Sequence, residues 1–284
     1  MNRLHGLALV LLLAAPTVGQ ASPRMAPGDL VNVRPGQMHP SQMDVGRVES
    51  NTQHYDRWRA DADKRGMTLK KYAKVVLRKE FAKKGIEADV APNGDVMPAD
   101  AHHRLRALER IADETGYQVP VGVRIGKNYQ GWKLEDFAND YVVQRGKGYF
   151  PPSFDKLTPV ERVRRLPASF MDLENSPMRS AMGSVYRKLD IEDLRFENYA
   201  EFKIGDWLMK QGLMKNLARD GLLPPGHHRL SDAIVKDDRV IAAMSNVLRT
   251  DKGRAFLLDI AAEDQRKTLK KRLTSSLESA NMRP

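Results

Sequence analysis

The fold is decided by the stretch NGDVMPADAHHRLRAL, which covers residues 93–108. Asn93 and Gly94 tolerate the positive φ angles that a two-residue hairpin loop requires. The segments on either side, 86–91 and 95–97, carry apolar residues at strand spacing and are predicted to pair as a hairpin. This part of the chain is therefore predicted to contain a β-sheet.

A helix is predicted directly after the hairpin. Asp100 is placed to cap its first turn, and Gly116 is placed to end it. Its apolar residues recur on one face, as in a helix that packs against a sheet. They are Leu105, Leu108, Ile111 and Ala112. A hairpin that leads into such a helix indicates a mixed α/β unit.

The regions on both sides of this stretch complete the expected architecture. Strands are predicted at 29–33 and 118–125, and a basic helix at 54–84. After residue 128 the strand signals fade, and helices are predicted at 132–144, 158–165, 178–189, 199–219, 229–249 and 251–280. We predict an α+β protein with a small mixed α/β unit in residues 22–128 and a mainly helical region in residues 129–284.

The composition restricts the possible functions. Lys and Arg number 47 against 36 acidic residues, and the net charge of +11 favours an anionic partner such as nucleic acid, a nucleotide or phospholipid. The chain contains no cysteine, which excludes a thiol nucleophile, a cysteine-based zinc site and disulfides. Catalysis would have to rely on histidine, on other polar side chains or on a metal ion.

The N-terminus has the pattern of a secretory signal peptide. Arg3 precedes the apolar run 7–15, and small residues end the segment at Ala21. The run is too short to span a bilayer, and no later segment approaches 18 consecutive apolar residues. We expect residues 1–21 to be removed and the protein to be exported, to the periplasm or the medium. A retained N-terminal anchor is the alternative.

The segment 54–84 carries eleven basic and four acidic residues, and it has two interpretations. It could follow a nucleic-acid backbone, with Trp58 and Tyr72 stacking on bases. Alternatively it is a solvated helix face whose aromatic residues lie in the core, and the helical pattern favours this second interpretation.

The start of the predicted helix at residue 102 could bind an anion. A helix N-terminus presents free N–H groups to a phosphate, and Arg104 can add a bidentate contact. His102 and His103 lie beside that position and could transfer a proton near neutral pH. The alternative is that both histidines are ordinary surface or capping residues, which is also the interpretation of His227-His228 before a later helix.

Three blocks of sequence, in the expected order, resemble the ParB/sulfiredoxin superfamily and most closely its ParB-like nuclease family. The first is LVNVRPGQMHPSQMDVG (30–46), similar to an opening strand with a Pro-(Thr/Ser)-Gln motif. The second joins Asn93-Gly94 to DAHHRLRAL (100–108), similar to a hairpin and an Asp-(Gly/His)-His-His helix start. The third contains LPASFMDL (166–173), PMRSAMG (177–183), YAEF (199–202) and DWL (206–208). The resemblance extends to about residue 210.

The resemblance implies a fold whose His/Arg loop faces a phosphate, and it assigns roles by matching position. His103 is the general acid or base, His102 assists it, and Asp100 orients a histidine or a metal-bound water. Arg104, Gln42 and Arg179 are the expected phosphate-binding residues; Gln42 lies in the loop that faces the histidines, and Arg179 belongs to the third block. The sequence departs from the family pattern at Ala101, where glycine is frequent, and at Met178, where tyrosine is expected. Sulfinic-acid repair is excluded because the chain has no cysteine.

These observations predict an exported hydrolase of phosphodiesters or nucleotides. No dedicated metal site is predicted, because adjacent histidines on a helix point in different directions, but Asp100 and a substrate phosphate could recruit Mg²⁺ or another divalent ion. The alternative is an exported protein that binds a nucleotide, nucleic acid or protein partner without catalysis. The lack of a clear carboxylate cluster favours that alternative.

Overall fold

The computed structural model of the protein describes residues 25–148, 150–151, 154–197, 199–223 and 230–281. Its architecture is α+β, with a small sheet near the N-terminus and a mainly helical C-terminal half, as predicted. The predicted signal peptide and the pair His227-His228 lie outside the described residues. Within the described residues, no helix is both long enough and apolar enough to cross a membrane.

The elements of the first half alternate between strands and helices. The strands are β1 (Leu30–Val33), β2 (Asp44–Val45), β3 (Ile86–Val90), β4 (Val96–Pro98) and β5 (Val121–Asn128). The helices are α1 (residues 47–64, with a π-helical stretch at Ser50–Asp56), α2 (residues 69–81, with a π-helical stretch at Ala73–Leu77) and α3 (His102–Thr115).

Helices dominate the second half. They are α4 (residues 134–144), α5 (Pro159–Arg164), α6 (Pro177–Leu189), α7 (Ala200–Lys210), α8 (Leu213–Arg219), α9 (Asp238–Arg249), α10 (Asp251–Ile260) and α11 (Arg266–Asn281). One further strand, β6 (Glu174–Asn175), precedes α6.

The main sheet has the strand order β1-β5-β3-β4. The central strands β3 and β5 are parallel, and both outer strands run antiparallel to their neighbours. Gly122 of β5 is required for close packing, because a Cβ atom there would lie 2.3 Å from the carbonyl oxygen of Ala82. The apolar side chains of the sheet, α1, α2 and α3 form one core, to which Phe170 and Leu173 also contribute.

The loop of the β3–β4 hairpin differs from the predicted two-residue turn. It contains three residues, Pro92 to Gly94, and is closed by the Ala91 N–H donating to the Asp95 carbonyl at 2.8 Å. Gly94 has a φ of +93°, whereas Asn93 has no positive φ. The asparagine side chain instead donates to the Asp95 carboxylate at 2.7 Å. One glycine at the end of a three-residue loop therefore makes the turn.

The predicted single helix at 54–84 is two helices in the structure. The first begins earlier, at Arg47, and ends before Gly66, which has a φ of +62°. Thr68 then caps the second helix by accepting a hydrogen bond from the Lys71 N–H. The chain therefore folds back between the two helices. The Tyr72 hydroxyl on the second helix donates a hydrogen bond to the Asp61 carboxylate on the first at 2.7 Å.

Glycines and short breaks also divide the helices predicted in the second half. Gly212, with a φ of +78°, separates α7 from α8. The predicted helix at 251–280 is interrupted at residues 261–265, between α10 and α11. The expected start at 229 is also too early, because α9 begins at Asp238 with Asp237 as its cap. These helices share a second core that is separate from the core around the sheet.

A two-stranded parallel pairing of β2 with β6 joins the two halves. It places Asp44 opposite Glu174 and Val45 opposite Asn175. The loop before α1 then lies directly on the start of α6, because a Cβ atom on Gly46 would be 2.7 Å from Ser180 Oγ. The third sequence block also contacts the helix that begins at His102, because the Met171 N–H donates to the Glu109 carboxylate on that helix at 3.1 Å.

Candidate functional site

The first turn of α3 has a strained backbone. The residue that caps it is Ala101, with a φ of 71° and a ψ of 14°, and no side chain accepts a hydrogen bond there. The prediction that Asp100 caps this helix is therefore wrong, and its side chain is exposed instead. An alanine in the left-handed region costs about 1–2 kcal/mol relative to a glycine. Surrounding contacts must hold this turn in place.

His102 is buried and its ring accepts a hydrogen bond. The N–H of Ser41 donates to Nε2 at 3.1 Å, and the Ser41 hydroxyl donates to the Pro98 carbonyl at 2.7 Å. Phe170 packs against the ring at 5.7 Å between ring centres. Burial lowers the pKa of His102 to about 3. The ring is therefore neutral and links the hairpin, the loop at residue 41 and α3.

His103 lies beside a carboxylate from α1. Its Nδ1 is 2.9 Å from Oε2 of Glu49, and its side chain is only 7% exposed. The distance is that of an ion pair, although the ring N–H does not point along the line of a good hydrogen bond. Nε2 is buried and has no hydrogen-bond partner among the described residues. One ring nitrogen thus lies against a carboxylate, and the other has no partner among the described residues.

Glu49 remains ionised because positive charges surround it. Burial acts to raise its pKa, but contact with His103 and the charge of Arg179 outweigh burial, and the pKa is lowered. An ionised carboxylate therefore faces Nδ1 of His103.

Arg179 continues this arrangement into the helical half. Its Nη1 lies 2.9 Å from Oε2 of Glu201, and its guanidinium lies 4.9 Å from the ring centre of Phe202. Burial acts to lower its pKa, but the carboxylates of Glu201 and Glu49 outweigh burial and raise it. His103, Glu49, Arg179 and Glu201 form what we call the buried charge chain, and it connects α3 and α1 to α6 and α7.

Arg104 and His54 are half-buried residues near the same place. The pKa of His54 is lowered to about 4, mainly by burial and secondly by the charge of His103. The charge of Arg104 acts in the same direction. The His54 ring packs against Trp58, with 5.5 Å between ring centres. Both side chains therefore belong to the electrostatic surroundings of His103.

Gln42 supports the backbone of the turn before β2. Its side chain is buried, and its Nε2 donates to the backbone carbonyl of Asp44 at 2.6 Å. This bond holds the turn that leads into β2. No hydrogen bond joins Gln42 to His102 or His103 among the described residues.

A groove lies beside the buried charge chain. It comprises two cavities of about 260 Å³ and about 520 Å³, which share Asp206 in their lining. Arg179 and Glu201 line the smaller cavity, and Tyr199 lines the larger one. Among the predicted site residues, Arg179 is thus placed where a ligand from solvent could meet it.

The floor of the smaller cavity contains carboxylates at close quarters. The pKa of Asp44 is raised to about 6, mainly by burial and secondly by the charges of Glu174 and Asp206. The folded protein therefore takes up a proton on Asp44 at a pH where the unfolded chain does not. Below about pH 4 the side chain is protonated in both states, and above about pH 6 it is an unfavourable folded-state charge.

We expect the substitution Asp44→Asn to stabilise the protein at pH 7.5 by about 1–2 kcal/mol, allowing for partial solvent exposure, and to have little effect at pH 4. Urea unfolding at the two pH values measures this difference. Asp63→Asn, at an exposed position on α1, is the control. An equal stabilisation at both pH values, or a loss at pH 7.5, would contradict the prediction.

Among the described residues, no group of three or more histidine, aspartate or glutamate side chains is placed to hold a metal ion. The exposed carboxylate of Asp100 is a single ligand. Mg²⁺ is often held by one or two carboxylates together with substrate phosphates. These residues therefore fit a divalent ion only when substrate supplies the other ligands.

The sequence did not reveal Glu49, His54 or Glu201 as site residues. The two residues of the His103–Glu49 pair are 54 positions apart in the chain, and no spacing rule connects them. Glu201 lies inside the quoted third block, but its partner Arg179 is on a different helix. Only packing of the two halves brings these residues together.

Comparisons with known proteins identify the class of protein. The protein-family model described as "Putative ParB-like nuclease" matches residues 31–210. This match covers more than half of the chain, and the protein belongs to that family. The crystal structure of protein Atu1540 from Agrobacterium tumefaciens is similar, with a TM-score of 0.52 and 16% identity over 80% of this chain and 95% of that one. That likeness concerns the fold alone. None of the curated proteins matches this sequence.

Proposed function

We propose that this protein is an exported nuclease that hydrolyses phosphodiester bonds and uses His103 as its proton-transfer group. The observation that carries the proposal is the geometry of His103, with Glu49 on Nδ1 and no partner on Nε2. Membership of the ParB-like nuclease family supports nucleic acid as the ligand class. The signal-peptide pattern of residues 1–21 supports export to the periplasm or the medium.

In this mechanism the substrate phosphate enters through the groove. It contacts Arg179 in place of Glu201, and Arg104 and the free N–H groups at the start of α3 stabilise its charge. His103 Nε2 accepts a proton from the attacking water as oxygen bonds to phosphorus. The bond from phosphorus to the leaving oxygen then breaks, and the protonated ring returns its proton to that oxygen.

The other predicted residues act around this step. His102 is neutral and holds the first turn of α3 through Ser41, so its assistance is positional. Asp100 is exposed at the entrance to the helix and is the proposed protein ligand for a divalent ion shared with the phosphate. Gln42 supports the turn before β2. Because Nε2 of His103 is shielded from solvent, substrate binding must open the site locally.

A second function is favoured by that same shielding. A protein that binds a nucleotide or nucleic acid without hydrolysing it has no need for an accessible base, and His103 is only 7% exposed. In that case the charge chain would be structural, and the exported protein would be an interaction partner or effector.

The test is hydrolysis by the purified protein of supercoiled plasmid, RNA and ATP, with Mg²⁺, Mn²⁺, Ca²⁺ or a chelator. We expect product from the wild type and at least a 100-fold slower rate from His103→Gln. His39→Gln is the matched control, because His39 is half-buried and lines a different cavity. No product under any condition, or equal rates for His103→Gln and the wild type, would refute the catalytic proposal. Binding without product would support the second function.

A further inference from the structure

The net positive charge of the protein is concentrated in one pair of helices. Residues 54–84 carry eleven basic and four acidic residues, so they supply an excess of seven in a chain whose total is +11. These residues form most of α1 and all of α2. About a tenth of the chain thus provides more than half of the net charge, and this charge is concentrated in one segment.

Six of the seven lysines in residues 54–84 are exposed and lack a carboxylate partner among the described residues. Three other basic residues are neutralised, Arg59 by Glu114, Arg65 by Asp61 and Lys84 by Glu80. By contrast, no ion pair to a described residue is found for the exposed side chains of Lys64, Lys70, Lys71, Lys74, Lys79 and Lys83, which we call the lysine face. Unpaired exposed cations are available to contact the phosphates of a ligand.

The aromatic side chains near the lysine face are not placed for stacking on bases, since Lys74 already covers the half-buried ring of Tyr117, with its Nζ 5.5 Å from the ring centre. Tyr55, Trp58, Tyr72 and Phe81 are all buried in the core beneath it, so the interpretation in which Trp58 and Tyr72 stack on bases is wrong. Val75 is its exposed large apolar residue. Single-stranded nucleic acid is usually held by aromatic stacking, and an interfacial helix needs a broad apolar face. Neither requirement is met, whereas the phosphates of a duplex require only positive charge.

The lysine face and the candidate site share the helix α1. The helix α1 carries Glu49 and His54 and ends in Lys64. Arg57, on the same helix, is close enough for its charge to lower the pKa of His54. A polyanion that lies along α1 and α2 would therefore reach the surroundings of His103.

We propose that the lysine face binds the phosphate backbone of double-stranded nucleic acid without regard to sequence. The inference rests on the proposed function, because nucleic acid as substrate comes from it. It adds that the substrate is a duplex and that recognition takes place on α1 and α2, outside the groove and the buried charge chain.

The test is fluorescence anisotropy with a labelled 30-base-pair DNA duplex across a range of salt concentrations. The variant Lys70→Gln/Lys71→Gln/Lys74→Gln is compared with Lys252→Gln/Lys267→Gln/Lys270→Gln, which removes the same charge from exposed positions on α10 and α11. Each phosphate contact contributes about 0.9 to the slope of log affinity against log salt, so we expect the first variant to lose about 2.7 of that slope and on the order of 100-fold in affinity at 0.1 M salt. We expect the control to change little.

Binding and catalysis are separated by a small phosphodiester, bis(p-nitrophenyl) phosphate, which is too short to reach the lysine face. If the wild type binds the duplex through this face but hydrolyses nothing, the proposed function fails and the inference stands. Equal losses for both variants, tighter binding of a single strand than of the duplex, or no binding at low salt would overturn the inference. Lysine-dependent binding to anionic vesicles without duplex binding would also overturn it, in favour of a membrane surface.

Discussion

The substitution Arg179→Met is expected to lower the free energy of unfolding by about 2–3 kcal/mol, because it leaves two partly buried carboxylates without their cation. Arg179 is 13% exposed and lies between Glu201, at 2.9 Å, and the charge of Glu49. Methionine fills much of the same volume over Phe202, so lost packing is a small part of the effect. The measurement is urea unfolding at pH 7.5, monitored by tryptophan fluorescence.

The matched control for this prediction is Arg187→Met, which removes an exposed arginine from the same helix and should change stability by less than about 0.5 kcal/mol. A double variant, Arg179→Met/Glu201→Leu, should recover part of the loss, because replacing a buried ion pair by apolar residues removes the cost of the unpaired carboxylate. If Arg179→Met is as stable as the control, water compensates Glu201 for the lost cation, and the buried charge chain does not hold the two halves together.

The parts of the fold that were predictable from sequence are those set by neighbouring residues. The hairpin near Gly94, the helix from His102 to Gly116 and the strand at Leu30 were all expected within a few residues. Their signals are local, since they consist of a turn residue, a periodic apolar face or a helix stop. The breaks at Gly66 and Gly212 were missed because a glycine in a helical pattern is compatible with both continuation and termination.

The site was less predictable, since its properties depend on contacts between distant segments. The sequence indicated His102, His103, Arg104 and Arg179 as one group, and the structure places His103 and Arg179 in one charge chain. The different surroundings of the two histidines were not visible in the sequence. They arise because Ser41 donates a hydrogen bond to His102, whereas Glu49 lies against His103. Composition showed an excess of basic residues, but only the structure shows which of them are exposed and lack a carboxylate partner.

Replacement of Glu49 by glutamine is expected to lower kcat about 10²–10⁴-fold if His103 is the base of the proposed nuclease. The glutamine amide keeps the size of the side chain but removes the negative charge beside Nδ1. A protonated His103 ring is then no longer stabilised when Nε2 accepts a proton from water. Glu49 does not contact substrate in this mechanism and acts as a positioning residue, so KM should be nearly unchanged.

Two comparisons separate this role of Glu49 from a structural one. Glu49→Asp keeps the charge and should retain more activity than Glu49→Gln, although its shorter side chain reaches Nδ1 less well. Glu114→Gln makes the same chemical change on α3, where Glu114 pairs with Arg59 near the surface, and should leave kcat unchanged. In the wild type, the lowered pKa of Glu49 means that its stabilising charge is lost only as the pH falls below the ordinary glutamate range, so the variants are compared at pH 7.5. Equal activity for Glu49→Gln and the wild type would remove Glu49 from the mechanism, whereas a rise in KM with constant kcat would place it in substrate binding.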